Sequence, residues 1–140
     1  MKNLLVVGIL IKCQDKYLFI KQEKEGGIYP DCLLTVGGKI DENETPEEAI
    51  KREVLEEVDI ELNDVVPFDF DSEITMYKGE KTQVIALRYT AEVDSFYVKP
   101  GDDAKEAYWL SQDELLKYKQ NPLTMRFLYK LGLITKSELE

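Results

Sequence analysis

Histidine is absent from the 140 residues, cysteine occurs only twice, and basic residues are outnumbered 18 to 28 by acidic ones. Without imidazole, histidine-based triads and the commonest zinc ligands are excluded, so acid–base chemistry must run on carboxylates, Lys, Tyr or Cys. Cys13 and Cys32 form no C-x-x-C pair. They read as two reduced, buried thiols of a cytoplasmic protein. No apolar run approaches the roughly 20 residues that a membrane span needs. Leu4 to Ile11 begins like a secretion signal but stops at Lys12 with no small-residue cleavage site, so a buried strand is expected instead. The formal net charge of −10 repels phosphate backbones, which argues against long nucleic acid as a partner. A small phosphorylated substrate is compatible with that field only where cations neutralise it.

What is present suits one compact α+β domain spanning residues 1–140, with no repeat, linker or membrane partner, as monomer or homodimer. Leu4–Ile11 and Tyr17–Ile20 are apolar runs that read as paired core strands. Leu33–Val36 is a short strand leading into a Gly37-Gly38 turn, and Ile60–Phe70 returns as strand and turn. Thr82–Val93 alternates with a period of two, which predicts a strand with one face on the core. Ala107–Leu110 is a short strand holding the only tryptophan, Trp109. Ser111 with Glu114 opens a helix to about Lys119, and a last helix follows Pro122 with Leu123, Phe127, Leu128 and Leu131 on one stripe. Strands, central helix, strands and closing helices make a layered sandwich with a mixed sheet.

The central helix is the best defined. Thr45 is a good N-cap, Pro46 suits the first turn, and Glu48 completes a capping box, so a helix to about Val58 is predicted. Glu47 with Lys51 and Glu48 with Arg52 are ordinary i,i+4 pairs. Glu53, Glu56 and Glu57 differ: they share one side of the helix, Glu53 and Glu57 have no basic residue at i±3 or i±4, and Glu56 has only Arg52. Fully exposed, each like-charged pair costs a few tenths of a kcal/mol. At the edge of a buried face, a pair about 5 Å apart repels by roughly 3 kcal/mol, and a bound cation relieves it. Spacing alone leaves a solvated acidic face and a metal site both open. Gly37 and Gly38 add backbone carbonyls, hard oxygen ligands of the kind magnesium or manganese takes.

Residues 38–60, from Gly38 through Glu44 and Arg52-Glu53 to Glu56-Glu57, match G-x5-E-x7-R-E-U-x-E-E-x-G-U, with U aliphatic, at every fixed position but one. The chain therefore resembles the Nudix hydrolase family, whose MutT-like members carry this box. The resemblance implies an α/β/α sandwich, a loop–helix–loop holding magnesium (or manganese), and hydrolysis of a phosphoanhydride bond in a nucleoside diphosphate linked to another group. On it, Glu53, Glu56 and Glu57 fall on metal ligands, and one of them, or an acid from a later loop, on the base. Arg52 falls on the arginine that orients a box glutamate, Gly37 or Gly38 on the carbonyl ligand, and Glu44 on a loop support. Asp59 departs from the pattern, standing where the family has glycine at the helix end, at a cost of about 1 kcal/mol.

For substrate binding the candidates are Lys21, Lys39, Tyr77 and Asp103. Each lysine also reads as an ordinary surface residue and Tyr77 as packing beside a strand. Asp102-Asp103 and Glu106 are candidate bases in or beyond a polar loop capped by Pro100-Gly101. Tyr77 stands where the dinucleoside polyphosphate hydrolases of the family carry a tyrosine, and the proline expected of its ADP-ribose branch is replaced by Ile74 to Met76. A nucleoside triphosphate pyrophosphohydrolase is the first expectation. A dinucleoside polyphosphate or ADP-sugar hydrolase is second, and a non-catalytic nucleotide-binding module is disfavoured because the box glutamates survive.

Overall fold

The computed structural model describes residues 1–22, 32–101 and 104–140. Its element order is β1 (Lys2–Cys13), β2 (Lys16–Gln22), β3 (Val36–Lys39), α1 (Pro46–Val58), β4 (Val66–Tyr77), β5 (Glu80–Glu92), β6 (Ala104–Ser111), a 3-10 turn (Gln112–Lys117), α2 (Pro122–Lys130) and α3 (Lys136–Leu139). The strands form one mixed sheet in the order β4-β5-β1-β2-β6, with β3 also paired to β1. Among the ladders of the described strands, β1 and β5 form the parallel one, and an isolated Leu33–Gln120 bridge is also parallel. The remaining ladders are antiparallel.

From Val7 onward both faces of β1 are covered, which explains the apolar run there. Val7, Ile9 and Ile11 join Ala49, Ile50, Val54 and Val58 of α1 in one core layer. Leu10, with Phe19, packs on the other side against Phe127 and Leu128 of α2. The helix–sheet–helix sandwich follows from this two-sided burial. Cys13 and Cys32 are both buried.

Several local expectations need correction. Gly37-Gly38 is not a turn but the middle of β3, paired with Gly8 and Val7. A Cβ at Gly37 would lie 2.1 Å from the Val7 carbonyl oxygen, so the glycine permits an unusually close strand pair. The buried face of β5 changes along its length: Thr82, Val84, Ala86 and Arg88 are buried while Ile85 and Leu87, expected on the core, are only half-buried, and the expected face is buried from Tyr89 to Ala91. Gln112–Lys117 is a short 3-10 turn instead of a helix to Lys119, although the Ser111–Glu114 capping box forms. Strand β4 begins at Val66 and extends to Tyr77, later than the apolar pattern placed it. A two-residue turn, Lys78 (φ 51°) and Gly79 (φ 78°), then joins it to β5.

Candidate active site

Helix α1 is fixed at its start as the sequence demands. The Thr45 hydroxyl accepts from Glu48 N–H at 3.2 Å and Glu48 Oε1 accepts from Thr45 N–H at 2.9 Å. Ala49, Ile50, Val54 and Val58 bury one stripe, and that anchorage turns the side bearing Glu53 and Glu57 toward β3. Glu57 is only 4 % exposed. Its Oε1 accepts from Gly37 N–H at 3.3 Å. The Glu53 carboxylate fills the room beside Gly38, where a Cβ would stand 2.5 Å from Glu53 Oε1.

Arg52 organises the same corner. Its Nη2 and Nε donate to the two oxygens of Glu44 at 2.8 and 3.1 Å, a fork-to-fork pair. Nη1 donates to Glu53 at 3.0 Å and to Glu56 at 3.2 Å. Nη2 also donates to the Lys39 carbonyl at 3.0 Å, tying α1 to the end of β3. The expected Glu48–Arg52 pair gives way to this arrangement, because Glu48 is engaged in the cap. Burial pushes the Glu53 carboxyl above the ordinary range, against the opposing hydrogen bond and charge of Arg52 and a hydrogen bond shared with Glu57. The Glu44 carboxyl is held below its usual value, first by the Arg52 hydrogen bond and then by the Asp41 backbone.

Two carboxyls in hydrogen-bonding reach of one another favour full ionisation only with a cation beside them. Glu53 and Glu57 present such a pair against the backbone of Gly37 and Gly38, an all-oxygen donor set that fits magnesium or manganese. Glu56 lies farther out, its side chain 44 % exposed and held by Arg52. Among the described residues no three Asp, Glu or Cys side chains converge tightly enough to chelate an ion by themselves. Magnesium does not require such a cage, since one or two carboxylates, waters and substrate phosphates suffice.

Of the substrate candidates, the structure brings Lys39 and Tyr77 together. The Lys39 ammonium lies 5.6 Å from the Tyr77 ring centroid. Lys78, which sequence reasoning passed over, lies 5.3 Å from the same ring. Burial resists ionisation of Tyr77, yet hydrogen bonds from Lys39 and Lys78 bring its pKa below the usual value. The turn signal Lys78-Gly79 directly after Tyr77 was the available clue. Lys21 stands elsewhere, across the β2–β6 ladder from Glu106. The Glu106 carboxylate accepts from the Tyr108 hydroxyl. Asp102 and Asp103 lie outside the described residues. The loop leading to them docks on the end of α1, with Lys99 N–H donating to the Val58 carbonyl and Gly101 N–H to the Glu57 carbonyl, each at 3.0 Å.

Asp59 adopts the left-handed conformation at the end of α1, φ 59° and ψ 37°, as a glycine would. The Tyr97 hydroxyl donates to its Oδ2 at 2.5 Å, a partner the sequence did not reveal.

The helices of the chain include none long and apolar enough to cross a membrane, among the described residues. Comparison with known proteins agrees with the geometry. The family model described as NUDIX domain matches residues 2–131. A nucleoside triphosphatase NudI of Escherichia coli O17:K52:H18 is 27 % identical over 141 residues, covering 96 % of this chain and all of the relative. Among solved structures, a MutT NUDIX hydrolase from Burkholderia pseudomallei superposes with a TM-score of 0.74 at 24 % identity, covering 96 % of this chain and 100 % of the other. The C. elegans Ap4A hydrolase shares the fold at a TM-score of 0.72 and 16 % identity, over 92 % of this chain and 95 % of that one. With a box whose glutamates gather against Gly37 and Gly38, and a family match over nearly its whole length, the chain belongs to the NUDIX family and is a Nudix hydrolase.

Proposed function

We propose that the chain is a magnesium-dependent nucleoside triphosphate pyrophosphohydrolase. The observation that carries this reading is the contact of the Glu53 and Glu57 carboxyls with the β3 glycines, beside an arginine that holds Glu53 in place. Nudix enzymes generally use divalent cations. Here Glu53, Glu57 and a Gly37 or Gly38 carbonyl would hold magnesium, with Glu56 at the margin. Bound there, the ion would neutralise the diphosphate and acidify a water.

The chain's own residues supply the rest. Arg52 fixes the Glu53 rotamer through Nη1 while its other nitrogens are anchored on Glu44, so the carboxylate needs little reorganisation. The Gly37 N–H does the same for Glu57. A carboxylate of this set, or an acid of the loop following Gly101, takes the proton of the attacking water. Lys39, one residue beyond Gly38, and Lys78 supply positive charge for substrate phosphates in a chain that is otherwise acidic. The relative named nucleoside triphosphatase supports the triphosphate as substrate.

A second reading, a dinucleoside polyphosphate hydrolase, is favoured by Tyr77 between two ammonium groups, a ring able to stack on a second base. One screen separates them. Nucleoside triphosphates, dinucleoside polyphosphates and ADP-sugars are each incubated with magnesium, and the products are resolved. Pyrophosphate with nucleoside monophosphate is expected from triphosphates. Turnover of dinucleoside polyphosphates alone would overturn the first reading, and binding without turnover of any nucleotide would overturn both.

A further inference from the structure

Strand β4 sorts its side chains unusually cleanly. Asp69, Asp71 and Glu73 point to the α2 side, where Arg88, Arg126 and Lys130 take them up. Phe70, Ile74 and Met76 point to the opposite side and are 72 %, 49 % and 62 % exposed. In register with Phe70, Ile74 and Met76 on β5 stand Leu87, Gln83 and Lys81, and beyond β5 on β1 stands Leu5, 45 % exposed, next to Val7, which is already buried under α1. Residues directly opposite across a ladder share a face, so these side chains form one continuous surface. Helix α1 packs over β1, β3 and β6 and leaves this end of the sheet open.

We infer that this face of β4, β5 and the first half of β1 is the contact surface of a two-fold symmetric homodimer. Two observations select a second copy as the occupant. The first is charge. The chain carries 28 acidic residues and a net charge of −10, so two copies repel over most of their surface. On this face the register places no carboxylate; its polar members are Asn3, Ser72 and Gln83, with Lys81 the one charge, at the outer row. Neutral amides and a hydroxyl hydrogen-bond as well to their own kind across a two-fold axis as to water.

The second is area. From their exposures, Leu5, Phe70, Ile74 and Met76 with the half-buried Ile85 and Leu87 present roughly 500 Å² of apolar surface, the size at which a patch on a soluble protein is functional. At the roughly 65 % apolar share of homodimer interfaces, that implies about 770 Å² per partner, close to the ~800 Å² of a standard interface.

The test is sedimentation of the full chain from about 1 to about 200 µM, spanning the affinities such an area provides. Wild type is expected to pass from monomer to dimer within this range. Phe70→Glu and Met76→Glu, at opposite ends of the face, are each expected to shift the midpoint upward at least about tenfold while keeping wild-type circular dichroism and turnover. Hydrogen exchange of wild type alone, at the two concentration limits, gives a reading independent of how the variants fold: β4 amides gain protection only at the high limit if the face is the contact. Wild type that stays monomeric throughout, a dimer indifferent to both substitutions, or a monomer that floats with phosphatidylcholine–phosphatidylglycerol vesicles would each overturn the assignment.

Discussion

The carboxylate of Glu53 occupies the space that a side chain at Gly38 would need: a Cβ there falls 2.5 Å from Glu53 Cδ and Oε1. At Gly37 the obstacle is instead backbone, with the Val7 carbonyl oxygen at 2.1 Å and Gly8 Cα at 2.9 Å. The two glycines should therefore fail differently. Gly38→Ala is relieved by rotating Glu53 away, so turnover should drop at least about 100-fold with nearly wild-type Tm. Gly37→Ala must part β1 from β3, at about 3 kcal/mol, and should lower Tm by roughly 10 °C. Thermal melts and kcat of both variants check this; equal effects on stability would mean that Glu53 cannot move aside.

Arg52 is a four-way clamp on Glu44, Glu53, Glu56 and the Lys39 carbonyl. A lysine keeps the charge but not the fork, so Arg52→Lys should cost roughly 10- to 100-fold in kcat, as loss of an orienting partner does at metal sites. Glu44→Gln keeps the shape of the anchor and should cost less. Both are expected to leave the melting curve close to wild type, because α1 is held mainly by Ile50, Val54 and Val58. The comparison is made by steady-state kinetics at saturating magnesium; an unchanged kcat for Arg52→Lys would remove the arginine from the site.

The left-handed Asp59 carries a backbone cost of about 1–2 kcal/mol that glycine avoids. Tyr97 offsets it through the hydrogen bond to Oδ2. Replacing Asp59 by Gly should accordingly stabilise the protein more in a Tyr97→Phe background than in wild type. A double-mutant cycle in urea measures the difference. Additivity would show that the contact with Tyr97 contributes nothing.

The parts of this fold legible in the sequence are those governed by neighbours a few residues apart. The Thr45–Glu48 box and the stripe Ile50, Val54, Val58 define α1 locally, and the structure places the helix at Pro46–Val58. The acidic side of that helix was visible for the same reason, but the partners of its carboxylates were not. Glu53 finds Arg52 at i+1 spacing only because the guanidinium is pulled across by Glu44, and Glu57 finds the Gly37 N–H 20 residues away. Gly-Gly read as a turn because glycine usually marks one; here it lets Glu53 and β1 approach β3. The alternation of Thr82–Val93 hid the face of β5 that is buried from Thr82 to Arg88, since an arginine reads as solvent-facing until its carboxylates, on another strand, are known.

That arginine supports the last prediction. Arg88 is 4 % exposed, with Nε and Nη2 each 2.7 Å from an Asp69 oxygen, Nη1 donating to the Leu123 carbonyl at 2.6 Å, and its guanidinium 4.7 Å from the Phe127 ring centroid. Burial works against the charged form of Asp69, yet hydrogen bonds from Arg88 and Lys130 outweigh it and hold the carboxyl below its usual value. Asp71 is likewise lowered, burial being outweighed by Arg126 and the Ser72 backbone. Carboxyls with depressed folded-state pKa values contribute stability that is fully present above their unfolded value of about 3.9 and is lost as pH falls through the folded value. Arg88→Met keeps the contact with Phe127 but strands Asp69 with Lys130 alone, which should cost about 3 kcal/mol at pH 7. As pH falls below about 4, protonation removes what the arginine was compensating, and the wild-type and variant unfolding free energies should converge. Urea unfolding at pH 7 and near pH 3 measures the gap. A gap of constant size would show that Arg88 acts through its packing on Phe127 and not through its charge.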